Sequence, residues 1–344
     1  MWRQRWLAGC AILAGWQWPA FCDDPRPAPV SVAAAQTAAS GVLRGMLAER
    51  QRFKSGVASI SGRLVVHTPG EAPLETPLHG LYAFDEVGNK LRYDLMERRL
   101  IRHAPPSVSK ASRAGLPQLP APEDFLCRLY YTRNEDYSAS WLQTGPSVRS
   151  NLEIRAPNAG LGGRIERSFH MFDARAASLC SAHTVELRTP IEQVIGELLQ
   201  RDIQSLKTEA DSTTLTLTDG LARSTLTVET RDGFRPVDFI TEFENSGVQL
   251  RILTRWVRRS SIDVPSQLRV VRSNSETGES QDCTLNLDWS KINTRVPATD
   301  FDYHSFQNIP ADLQVQVFDS RGPTTRNLGR WIADGIIEKE ATDP

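Results

Sequence analysis

The chain has 344 residues, 40% of them hydrophobic, with 40 Lys plus Arg against 41 Asp plus Glu. So even a balance supplies no overall attraction for nucleic acid, and no basic stripe interleaved with aromatics runs along the sequence. The length suits one large β domain or two ordinary ones, with enough apolar residues for a core.

Met1–Trp6 carries Arg3 and Arg5 and no acid. Leu7–Trp16 is an unbroken apolar run, and Ala20-Phe21-Cys22 puts small residues where a signal peptidase reads. This layout predicts a signal peptide over 1–22, cleaved near Cys22, and export to the periplasm or cell envelope. The run is well short of the roughly 20 residues of a membrane-spanning helix. Leu7-Ala8-Gly9-Cys10 spells a lipoprotein cleavage box, but only six residues precede Leu7 and two are arginines, so no apolar segment lies upstream of it. Without residues 1–22 the balance is 38 basic to 41 acidic. No second long apolar run follows, so any membrane contact is expected to be peripheral at most.

Residues 23–32 are a Pro-rich spacer. From Ala33 to Arg52, Val42, Leu43, Met46 and Leu47 fall on one helical face. Val57–Val66 reads as a strand, and Leu81–Phe84 and Leu91–Leu95 as a hairpin about the turn 85–90. Residues 104–122 hold five prolines and form an insertion. Short strands resume at Phe125–Tyr131, Ala139–Gln143 and Leu152–Arg155. A helix is predicted over 189–206, with Thr189 and Glu192 as a capping box and Pro190 as the first helical residue. Its apolar face is Ile191, Val194, Ile195, Leu198 and Leu199, extended by Leu206. A meander follows through Leu215/Leu217, Leu226/Val228, Val237–Phe243, Leu250–Val257, Leu268–Arg272 and Cys283–Trp289. Hairpin spacing of this kind means an antiparallel sheet rather than βαβ units.

Few residues carry a chemical pattern. Cys127, Cys180 and Cys283 have no metal spacing; Cys283 sits on the apolar register of its strand, leaving Cys127–Cys180 as the expected disulfide. Ser107-Val108-Ser109-Lys110 matches Ser-x-x-Lys, but it follows two prolines in a flexible segment rather than opening a rigid helix. The glycine-rich run 158–164 has no Gly-Lys-Ser/Thr ending and reads as a turn. Asp300, Asp302 and His304 alternate as on the solvated face of a strand, and the six histidines show no paired spacing. No metal, no cofactor and no catalytic residue is expected. Trp141, Trp256, Trp289 and Trp331 read as core or cavity-lining residues.

The order of these elements, with Ile60-Ser61-Gly62-Arg63-Leu64, the hairpin Leu81-Tyr82-Ala83-Phe84…Gly88-Asn89-Lys90-Leu91-Arg92-Tyr93, Trp289-Ser290-Lys291-Ile292-Asn293, Phe301 and Val317-Phe318-Asp319-Ser320-Arg321, resembles the superfamily of periplasmic lipoprotein carriers of the LolA/LolB type. The resemblance implies a mainly β (α+β) fold: a large curved antiparallel sheet, or half-open barrel, with helices covering its concave side. It implies a single domain over 33–320 and a C-terminal tail over 321–344. It further implies a non-catalytic exported protein that binds an apolar ligand, an acyl chain or a lipoprotein's lipid, along Leu64, Tyr93, Leu226, Leu250, Ile252 and Trp256. The alternative is an envelope or extracellular interaction or sensing module whose sheet is filled by its own helices. N-terminal sequencing of the protein from its native host should read from near Asp23, in a fraction outside the cytoplasm; an intact Met1 in the cytosol refutes the export signal.

Overall fold

The structure is a computed structural model, describing residues 32–87, 89–101, 123–143, 151–157, 172–180, 189–243, 246–306, 309–310, 313–318, 325–331 and 337–338. The expected signal peptide, the insertion 104–122, Ser107, Lys110 and the glycine-rich run 158–164 lie outside the described residues.

Helix α1 (Val32–Gln51) forms where the apolar spacing places it. It buries Ala39, Leu43 and Met46, which recur every three to four residues. Gly45 allows the Phe234 ring to lie against the helix, since a Cβ there would come within 2.7 Å of it. Strands β1 (Ser55–His67), β2 (Leu74–Asp85), β3 (Lys90–Ile101), β4 (Glu123–Arg133), β5 (Ser138–Gln143) and β6 (Leu152–Arg155) follow. Helix α2 (Ile191–Leu199) precedes β7 (Asp202–Thr208), β8 (Ser212–Thr218), β9 (Ala222–Glu229), β10 (Arg235–Phe243), β11 (Val248–Arg259), β12 (Ile262–Asn274) and β13 (Ser280–Ile292). The chain ends in β14 (Gln314–Phe318), β15 (Thr325–Trp331) and β16 (Ile337–Glu338).

Among the described residues, sixteen strands join one curved, unclosed sheet in the order β16-β15-β14-β6-β5-β4-β3-β2-β1-β13-β12-β11-β10-β9-β8-β7, with β7 and β16 at its two ends. Neighbours are antiparallel except β14 and β6, which run parallel. The long-range pairing of β1 with β13, Ile60 opposite Leu287, joins the two hairpin series. Alternation sets the faces. In β13, Cys283, Leu285 and Leu287 point into the concave core while Asn286 and Asp288 face water. The concave face is covered by α1, α2 and the segment 172–180, which share its core.

After β13 the chain crosses the convex face. Phe301 and Val296 pack on Val57 and Ala83, and the buried Arg92 guanidinium donates to Asp300 O (2.8 Å) and Ser305 Oγ (2.6 Å). A second core, with Tyr130, Trp141, Leu152, Val315 and Trp331, closes this side.

Several expectations are corrected. The helix predicted over 189–206 ends at Leu199, and Leu206 lies on β7. The chain turns because the buried Arg201 guanidinium is drawn to Ser224 Oγ (2.6 Å) and Asp219 (3.1 Å). The N-cap is Pro190, with no side-chain cap bond, and Glu192 is pulled to Arg175 (3.0 Å) instead of closing a capping box. Residues 321–344, expected as a tail, contribute β15 and β16. Asp300, Asp302 and His304 stand on 3-10 turns, not a strand, with His304 Nδ1 2.6 Å from Asp302 Oδ1. Among the described residues no helix is long and apolar enough to cross a membrane.

Leu198 is buried against this core, so Leu198→Ala should cost about 2–5 kcal/mol by chemical denaturation. Gly196→Ala, with open space where its Cβ goes, should stabilise by roughly 0.5–1 kcal/mol. Unchanged midpoints in both variants would mean that α2 does not pack as described.

Candidate functional site

Five of the six residues read from the sequence as lining a ligand cavity, Leu64, Tyr93, Leu226, Leu250 and Ile252, lie in the one concave core, and Trp256 packs against it half-buried. Leu226, Leu250 and Ile252 have no exposed surface at all, so no void wide enough for water touches them. What faces them is the protein itself.

The central occupant is the segment 172–180, Phe172-Asp173-Ala174-Arg175-Ala176-Ala177-Ser178-Leu179-Cys180, which the sequence reading missed. It holds one turn of 3-10 helix, Ala174–Ala176, started by Asp173, whose side chain accepts from the Arg175 N–H. The one signal was an Asx-type start followed by small residues, a pattern too common in loops to single out. Phe172 stacks on Tyr82, ring centroids 5.1 Å apart. The Phe172 N–H donates to Tyr93 Oη (2.6 Å) and the Ala174 N–H to Tyr82 Oη (3.1 Å). Across the concavity, Thr254 Oγ1 donates to Ala177 O (3.2 Å) and Ser178 Oγ to Pro236 O (2.5 Å). Burial pushes the Tyr82 and Tyr93 phenols well above their ordinary pKa, so both stay neutral hydroxyls suited to hold backbone amides.

Charges mark the rim of this core. Arg175 reaches Asp173 (3.1 Å), Glu192 on α2 (3.0 Å) and Glu86 on the β2–β3 turn (2.8 Å). Burial opposes its charge, but Asp173, then Glu192 and Glu86, more than offset that and raise its pKa. These groups border an open pocket of about 270 Å³ with Tyr82, Phe84 and Leu91 in its wall. Arg50 continues the core-facing stripe of α1 and lies wholly buried, 4.2 Å from the Trp256 ring centroid, with Nη1 donating to Asp263 O (2.8 Å). Burial lowers its pKa to about 10, Asp263 partly countering.

The expected Cys127–Cys180 bridge is not formed, and no disulfide is present among the described residues. Cys127 sits on β4 opposite Glu97, whereas Cys180 ends the buried segment. Burial pushes the Cys180 thiol up to about 12, leaving it protonated and a poor nucleophile at neutral pH.

No protein-family model and no curated protein sequence matches the chain. Among solved structures, the chain is similar in fold to LolA superfamily proteins and outer membrane lipoprotein-sorting domains. One is a LolA superfamily protein from Nitrosomonas europaea, with 14% identity over 78% of this chain and 99% of that one, TM-score 0.39. A DUF1329 family protein from Desulfovibrio piger gives 12% identity, 79% and 99% coverage and a TM-score of 0.42. An outer membrane lipoprotein-sorting protein domain from Vibrio parahaemolyticus gives 10%, 76%, 97% and 0.36. At these scores no ligand and no activity carries over to this chain.

Alkylation at pH 8 followed by peptide mapping should leave Cys180 unmodified in the native protein and modify it once denatured. Labelling of native Cys180 at the rate of a free thiol contradicts the burial of this segment.

Proposed function

We propose that this is a non-catalytic exported binding protein that takes an apolar chain, such as an acyl chain, on the concave face of its sheet in place of residues 172–180. The observation that carries the reading is how that segment is held. It fills the apolar centre with Phe172, Leu179, small side chains and one turn of 3-10 helix, with the Arg175 ion pairs to Glu86 and Glu192 at its rim. It is held to the strands by hydrogen bonds through Tyr82, Tyr93, Thr254 and Ser178 rather than a backbone ladder. Each such bond is worth only about 0.5–1.5 kcal/mol. An acyl chain burying comparable apolar area would offset their loss at roughly 25 cal/mol per Å². The pocket beside Arg175 is the natural entry, since it opens onto Tyr82 and Phe84 at the end of the segment. Leu64, Tyr93, Leu226, Leu250, Ile252 and Trp256 would line the path, and the partner is a lipid or a lipid-bearing protein.

The complete burial of Leu226, Leu250 and Ile252 favours a second reading, in which the core is permanently filled and the protein is an interaction or sensing module of the envelope. Titration with an environment-sensitive fluorescent fatty acid separates the two. The carrier reading expects saturable binding to the native chain, tightened in Tyr82→Phe/Tyr93→Phe, where the hold on 172–174 is lost. Arg251→Glu, on the convex face against Asp238, should leave it intact. No binding to either the native chain or a folded double variant overturns the carrier reading in favour of the filled core.

A further inference from the structure

One end of the sheet gathers cations that are far apart in sequence. Asn293, in the left-handed region at φ 49°, accepts the Lys54 N–H (2.8 Å) and donates through Nδ2 to Arg52 O (2.6 Å). Ser55 Oγ donates to Thr294 O (2.9 Å). Arg52 Nη2 in turn donates to Ser261 O (3.2 Å) in the tight β11–β12 turn, where Ser260 and Ser261 both have positive φ. These bonds stitch three segments, 49–54, 258–263 and 291–295, into a single rim. Together the three hold seven basic residues and two acidic ones, in a chain that is otherwise balanced. Of the two acids, Asp263 is buried and Glu49 is tied to Arg52 (2.9 Å). Lys54, Arg259, Lys291 and Arg295 are exposed, and among the described residues none has an ion-pair partner. Folding therefore builds a concentrated positive field where the sequence as a whole has none.

A second feature adjoins it. The Glu86 N–H donates to Lys54 O (2.9 Å), fixing the β2–β3 turn beside the rim, and Val87 is 88% exposed. The two acids before it are engaged locally, Asp85 Oδ1 accepting the Val87 N–H (3.1 Å) and Glu86 pairing with Arg175 (2.8 Å). An apolar side chain projecting next to unpaired cations matches an interface of phosphate headgroups over hydrocarbon. Single-stranded nucleic acid is the poorer fit, because it needs exposed rings on which bases stack. Here the nearby tryptophans turn inward: Trp289 Nε1 donates to Pro265 O (2.6 Å) and Trp256 Nε1 to Pro236 O (2.7 Å).

We infer that this rim is a docking surface for an anionic phospholipid bilayer, engaged through Lys54, Arg259, Lys291 and Arg295 with Val87 at the interface. It needs no ligand on the concave face. The test is sedimentation of the full chain with vesicles of phosphatidylcholine alone or mixed with phosphatidylglycerol. Binding is expected only with phosphatidylglycerol, and should weaken steeply when salt rises to about 0.5 M. Each basic residue near such a surface contributes roughly fivefold in partitioning, so Lys54→Glu/Lys291→Glu/Arg295→Glu should lose about a hundredfold or more. Arg223→Glu, an exposed cation outside the rim, should bind like the native chain. If the triple variant does not melt like the native protein, the Gln triple at the same positions replaces it. No binding to phosphatidylglycerol vesicles, equal binding to phosphatidylcholine, or binding unmoved by either triple overturns the inference. So does equally tight binding of duplex DNA at the same salt, which would make the rim a general polyanion site.

Discussion

One constraint organises this fold: a sixteen-stranded sheet that curls around a single continuous apolar face must cover that face from its own chain. Regular helices do only part of this. Helix α1 lies along the concavity and meets both α2 and the edge strand β7, while the centre is left to 172–180. Because β1 pairs with β13, more than 200 residues on, and α1 runs directly into β1, the cover is tied by the chain to the pairing that joins the two halves of the sheet.

The seams of this assembly are held by buried guanidiniums. Arg50 ties α1 to β12, Arg201 ties the end of α2 to β9, and Arg92 ties the crossing segment to the convex face. Arg175 joins 172–180 to α2 and the β2–β3 turn. A planar fork of five donors can satisfy several acceptors from different elements at once in a fixed geometry, where a lysine offers three donors on a freely rotating head. Such contacts are expensive to bury and more so to break on one side, so they select one docking arrangement among the many that an apolar face alone would accept.

The two faces of the sheet consequently have separate tasks. The concave side is apolar, with its polar demands met by tyrosine, serine and threonine hydroxyls. The convex side of β10–β13 carries cross-strand pairs such as Arg251–Asp238 and Arg269–Asp282, which keep it solvated. Uncompensated charge is concentrated at one end, where strand ends (Arg259 of β11, Lys291 of β13) and the adjoining loops (Lys54, Arg295) supply the residues.

Much of the architecture was legible in the residues. Strict alternation in Cys283–Trp289 or Leu215–Leu217, and the 3.6-residue spacing of Leu43 with Met46 and Leu47, specify element type and buried face through local geometry alone. What local patterns cannot carry is decided by partners distant in the chain. Arg201 ended α2 early because Ser224 and Asp219 outcompeted the apolar periodicity that pointed on to Leu206. Glu192 left its capping role for Arg175 for the same reason. The segment 172–180 has no periodicity of its own, and its place in the core follows only from where Tyr82, Tyr93 and Thr254 stand once the sheet has curved. The positive rim likewise exists only after three segments spread over residues 49–295 are brought together. The sequence by itself determined the central strands, the existence of the two helices and the apolar inner face, but not the end of α2 or strands β7, β15 and β16, because only the former depend on neighbours a few residues away. The tertiary structure alone decided what occupies that face and where charge accumulates, because both depend on contacts between residues that are far apart along the chain.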